Sequence, residues 1–237
     1  MGFEFSQTPD NFFYSHTLMW YYGEPNSHTG VMATLPLNAE VEVNAGWTMG
    51  WDSGFENYLG ASTFLGNVTW TISDRALIYW AVTAGNVGDG TARNGAPNNS
   101  GDVYLNSFVL QYSLADALTY TIWHDFGVNK MAGADAEWYG VSQWLIYEVS
   151  PCLSIGGRYE WYRDDDGARV FNSNGAGAGH YNDVTLTANW KLHPNVLVRP
   201  EIRWDWFEGG GQPYDPRGGV GTSSSMFTGG GALIATF

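Results

Sequence analysis

Apolar and polar residues alternate with period two from residue 11 to the last residue, and polar breaks, alternately very short and longer, interrupt the pattern. The runs between breaks predict strands near 11–22, 29–37, 40–51, 61–72, 75–87, 102–114, 117–129, 136–149, 152–163, 180–191, 196–207 and 223–237. The short breaks (36–39, 73–75, 115–117, 150–152, 193–195) hold turn formers suited to tight hairpins. The longer ones (23–28, 52–60, 88–101, 130–135, 164–179, 208–222) are rich in glycine and polar residues. Such asymmetry is that of a bacterial outer-membrane barrel with short periplasmic turns and longer outer loops, which would put both ends of the chain on the periplasmic side.

Within a run the two faces separate cleanly. Val41, Val43, Ala45, Trp47, Met49 and Trp51 share one face of the third run, against Glu40, Glu42, Asn44, Gly46, Thr48 and Gly50. A soluble sandwich also alternates, so the question is which side is wet. On the apolar faces Trp70, Trp80, Tyr112, Tyr120 and Trp190 fall towards the short turns, and Trp51, Trp161, Trp204 and Trp206 towards the long loops, the arrangement of two aromatic girdles. The opposite faces carry Gly, Ser, Thr, Asn and charges and read as a lumen. The expected fold class is therefore all-β, a transmembrane up-and-down antiparallel β-barrel of about 12 strands, with residues 1–237 as one domain and residues 1–10 as an N-terminal extension.

Composition agrees with this reading. Lysine occurs only at Lys130 and Lys191, which is sparse for a soluble surface. A formal charge of −14 argues against nucleic acid as a partner. No run of 18 apolar residues is present to form a transmembrane helix, but strands can cross a bilayer without one. The lone Cys152 allows no internal disulfide, and MGFEFSQTPD has none of the marks of a secretory signal, so an exported protein would carry its signal outside these residues.

The segments DNFFYSH (10–16), HTGVMAT (28–34), GWTMGWDSGFE (46–56), GASTFLGNVTWT (60–71), DAEWYGVSQWLIYE (135–148), EWYRDDDG (160–167) and RPEIRWDWFEG (199–209) together resemble the OmpL-like outer-membrane β-barrel porin family of planctomycetes and related bacteria. The resemblance covers most of the chain and implies a porin-like pore in the bacterial outer membrane. Members of that family are longer, with a signal peptide and more strands ahead of DNFFYSH. The chain then stands either as a C-terminal part or as a shortened or engineered barrel, and residues 1–28 read either as a first strand or as a loop.

Charges on the polar faces give the candidate site. Arg158 and Glu160 on the ninth run, Asp183 and Lys191 on the tenth, and Arg199, Glu201, Arg203 and Asp205 on the eleventh point inward on consecutive strands. With Glu40, Glu42, Asp125 and Glu148 they make an acidic lining, expected to form a narrow, weakly cation-preferring pore for ions or small solutes. The alternatives are that the charges neutralise one another in a filled lumen, or that the barrel is a closed structural or adhesive one. The remaining expected partners are the lipid bilayer or detergent, and the outer-membrane assembly machinery, reading a last strand that ends in Phe237. No cofactor or metal is expected: Asp164, Asp165 and Asp166 are contiguous and lack the alternate spacing of a calcium loop. Nor is an enzyme. A lipid-facing His–Ser pair would sit two residues apart on one strand, whereas His124 is flanked at that spacing by Ile122 and Phe126, and His16 by Tyr14 and Leu18.

Overall fold

The computed structural model describes residues 1–55, 60–89, 100–131, 134–170, 177–214 and 221–237. Among these residues eleven strands form one sheet: β1 (His28–Pro36), β2 (Val41–Trp51), β3 (Ser62–Ser73), β4 (Ala76–Asp89), β5 (Ser100–Ala115), β6 (Leu118–Met131), β7 (Ala134–Ser150), β8 (Leu153–Asp164), β9 (Gly179–His193), β10 (Val196–Gly209) and β11 (Ser225–Ala235). Each pairs antiparallel with its neighbours in sequence, in the order β1 to β11. Eleven of the twelve predicted runs are therefore strands, within about two residues at most ends, and the break expected at 130–135 is short, since β6 ends at Met131 and β7 begins at Ala134.

Two expectations fail together. The run 11–22 is not a strand: it holds irregular chain and a π-helical turn (Met19–Gly23), after a 3₁₀ turn at Thr8–Asp10. Its backbone groups are satisfied by side chains of the sheet, so its alternation never meets a partner strand. The sheet, moreover, is not a closed barrel of twelve strands. β1 and β11 are its two edges and do not pair with each other. Neighbours alternate in direction, so the first and the eleventh strands point the same way, and joining them would take a parallel pair unlike every other pair in the sheet. For the same reason β1 starts on the side of the longer connections while β11 ends on the side of the short turns.

The faces follow the alternation. One is apolar and open, with Trp47 58%, Leu186 51%, Trp190 52% and Trp204 50% exposed. The other curls around residues 1–25. There Phe13, Met19, Trp123, Trp138, Trp144 and Tyr162 form a buried core together with buried charged groups. Trp51, expected on the outer face, lies in this core: Gly50 has φ +97°, a left-handed backbone that re-aims the strand end, and the Trp51 ring meets Trp138 edge-on at 6.3 Å. No helix of the described residues is long and apolar enough to cross a membrane.

Candidate functional site

The site lies on the inner face, where β7 to β10 hold the N-terminal segment by its main chain. Period-two alternation puts Arg158, Glu160 and Tyr162 of β8 on this face, beside Asp183, Thr185 and Asn189 of β9 and Arg199, Glu201, Arg203 and Asp205 of β10. Glu160 pairs across with Asp183, and Asp183 with Asp205, so three carboxylates lie side by side, with Arg158 next to Glu160 on the inner face of β8, Arg203 next to Asp205 on that of β10, and Thr185 next to Asp183 on β9. Arg158 and Arg203 both reach Asp183, at 3.7 and 3.1 Å, and Arg203 also binds Asp205 at 2.7 Å. Charges buried this deeply persist only when paired and hydrogen-bonded.

Their remaining valences go to the N-terminal segment. The Glu201 carboxylate accepts the N–H groups of Tyr14 and Ser15 at 2.7 and 2.9 Å, and the Glu160 carboxylate those of Leu18 and Met19 at 2.7 and 2.8 Å. Arg158 donates to the carbonyls of Ser15 and His16, and Arg203 to that of His16. Arg199 donates to Thr8 and Phe13, and Asn189 to Phe12. Higher up, Arg169 donates to the carbonyl of Tyr22 and Trp138 to that of Gly23. The segment folds back on itself through Glu4, which accepts both the N–H and the hydroxyl of Thr17 and pairs with Arg158 at 3.1 Å.

A second, smaller cluster closes the segment. Glu24 is buried beside Trp123 and Asp125 of β6, and its Oε1 has no hydrogen-bond partner among the described residues. Burial, reinforced by the Asp125 and Glu4 carboxylates, pushes the Glu24 carboxyl well above the usual range.

The twelve residues singled out from the sequence divide. Arg158, Glu160, Asp183, Arg199, Glu201, Asp205 and Asp125 are buried on the inner face, and Arg203 is partly so. Glu40, Glu42, Glu148 and Lys191 lie exposed at the short-turn ends and do not join the cluster. The acidic run serves a loop: Asp164 accepts the N–H groups of Ala168, Arg169 and Val170, while Asp165 pairs with Arg163. The expected cation-preferring pore is overturned by the same geometry. The sheet does not close, and its inner face is occupied by residues 1–25. Sequence reading missed Glu4, Asn189, Trp138 and Arg169 as holders of the segment. The available signal was the crowding of inward charge on three consecutive strands, with four cations (Arg158, Lys191, Arg199, Arg203) and four anions (Glu160, Asp183, Glu201, Asp205).

The chain resembles solved structures at low identity. It is 12% identical to the siderophore receptor PirA from Acinetobacter baumannii, with a TM-score of 0.47 over 88% of this chain and 38% of that one. To a mutant of the ferric enterobactin receptor PfeA from Pseudomonas aeruginosa the identity is 11% and the TM-score 0.39, over 77% and 36%. The chain thus spans well under half the length of either receptor. No curated protein matches it. The family model described as "Putative beta-barrel porin-2, OmpL-like" matches residues 1–237, over the whole of the chain. Membership in a porin-type family agrees with a non-catalytic chain and suggests an outer-membrane context, and with the match covering every residue, the protein belongs to the OmpL-like β-barrel porin family.

Proposed function

We propose that this chain is a lipid-facing wall segment of the bacterial outer membrane, stoppered on its inner side by its own N-terminal residues. The observation that carries the reading is the inverted polarity of the sheet. Large apolar side chains stand open on the outer face, with no helix or second sheet over them among the described residues, while arginines and carboxylates are buried on the inner one. In water the outer face would be a severe aggregation liability, and in a bilayer it is the solvated side. Trp70, Trp80 and Trp190 near the short turns, and Trp204 near the other end, suit the two interfaces. Family membership supports the same location. Because a bilayer cannot hydrate unpaired backbone, the edges of β1 and β11 require further strands beside them.

The test is refolding into phosphatidylcholine vesicles whose acyl chains carry bromine. Outer-face tryptophans are expected to be quenched and the inner Trp123, Trp138 and Trp144 spared, read through single-tryptophan variants. Equal quenching of the two sets, or a chain that stays soluble and monomeric without detergent, would overturn the reading.

A further inference from the structure

We propose that the inner face of β8 to β10 is a peptide-binding groove that reads main chain, and that residues 8–24 are its exchangeable occupant in cis. Three observations support this beyond the wall reading, and none depends on the lipid.

First, the contacts are of a recognition type. Two carboxylates each clamp a pair of successive N–H groups, Tyr14 with Ser15 and Leu18 with Met19, and three arginines and Asn189 take the carbonyls of Thr8, Phe12, Phe13, Ser15 and His16. These bonds go to main-chain groups, with Ser15 Oγ accepting further ones from Arg158 and Arg203, so the groove fits a peptide that can take the same irregular path and helical turn at Met19–Gly23. Second, the side-chain contribution is local. Phe13 packs edge-on to Trp144 at 4.9 Å with Arg158 5.0 Å from its ring centroid, and Phe12 lies over Gly156, where any Cβ would collide with its ring. An occupant therefore needs aromatic residues at these two places. Third, the occupant is not walled in. A cavity of about 470 Å³ lies between Tyr14, Leu18 and Tyr22 and the sheet end at Tyr214, Met226 and Thr228. Another of about 450 Å³ separates Phe3 and Glu24 from Thr69, Leu77 and Val109. Open space thus flanks a segment that is held at its middle by main-chain hydrogen bonds and by the buried Phe13, Thr17 and Met19.

The experiment uses the full chain with Cys152→Ser and Met19→Cys, because Met19 is fully buried against Gly140 and its N–H is held by Glu160. Labelling by a water-soluble maleimide reports exposure of the segment, and circular dichroism reports the sheet. A synthetic peptide of residues 8–24 in excess is expected to raise the labelling rate at least tenfold and saturably, while the same peptide with Phe12→Ala and Phe13→Ala acts far more weakly. Glu201→Ala in the same background should raise the rate without peptide and leave the strand signal unchanged. A rate that no peptide concentration moves overturns the proposal, whether or not the Glu201 variant folds. So does loss of the sheet signal in step with labelling, which would make the segment part of one cooperative core.

Discussion

Gly127→Ala is the sharpest probe of how the N-terminal segment is fixed. Gly127 of β6 lies directly opposite Trp138 of β7, and its missing side chain is what lets the indole lie flat on the inner face. A Cβ at Gly127 would come within 2.5 Å of the indole Nε1 and closer still to Cε2 and Cζ2. Real Cβ atoms do not make such contacts, so the ring must move by about an ångström. It is not free to do so: Nε1 donates to the Gly23 carbonyl at 2.9 Å, the Arg169 guanidinium sits 4.6 Å from the ring centroid, and Trp51 packs on its edge. Alanine gains roughly 0.5–1 kcal/mol over glycine in the strand backbone. Against this, overpacking costs about 1–3 kcal/mol and loss of the indole hydrogen bond about 0.5–1.5 kcal/mol. The net expectation is a destabilisation of about 2 kcal/mol. With a urea slope of roughly 1–3 kcal/mol per molar, the unfolding midpoint in detergent micelles should fall by about 1 M. The cycle with Trp138→Ala supplies the control, since the Gly127→Ala cost should drop below about 0.5 kcal/mol once the ring is gone. If Gly127→Ala costs the same in both backgrounds, or nothing in the parent, the ring is not pinned and the reasoning is wrong.

Three further outcomes are expected. Glu24 has a folded pKa raised by burial, with the carboxylates of Asp125 on β6 and Glu4, Tyr79 of β4 and the opposing N-terminal ammonium of Met1 as its charged or titratable neighbours. Its contribution is therefore complete below the ordinary carboxylate range and is lost as pH rises through the raised value, so labelling of Met19→Cys, taken relative to the urea-unfolded chain at each pH to remove the thiol's own ionisation, should accelerate with rising pH, and Glu24→Gln should flatten that ratio and lower it at neutral pH. Arg158→Met should destabilise by about 3–5 kcal/mol, measured by urea unfolding, because it leaves the buried Glu4 carboxylate without its cation; a cost under 1 kcal/mol would mean the pair is hydrated. Leu186→Arg, on the open face, should lower the folded fraction recovered in vesicles by an amount equivalent to about 2–4 kcal/mol while altering stability little in a flexible detergent, and equal effects in both would argue against lipid at that face.

What the sequence determined by itself is the local part of the fold. Strand bounds from β1 to β11, the tight turns, and the face on which Arg158, Glu160, Asp183, Arg199, Glu201 and Arg203 lie all follow from a period of two and from turn chemistry, which act over a few residues. Tertiary structure alone decided three things. The fate of residues 11–22 depended on what their backbone could bond to, and carboxylates and arginines some 140 to 190 positions away satisfy it better than a neighbouring strand. Whether the two outer strands meet depended on the geometry of the whole sheet, in which β1 and β11 remain edges. The split of the inner charges into seven buried, one partly buried and four exposed depended on how far along the strands the N-terminal segment reaches. Alternation assigns a side chain to a face, but only the packed chain determines what occupies the space in front of that face, because occupancy is set by contacts between residues remote in sequence.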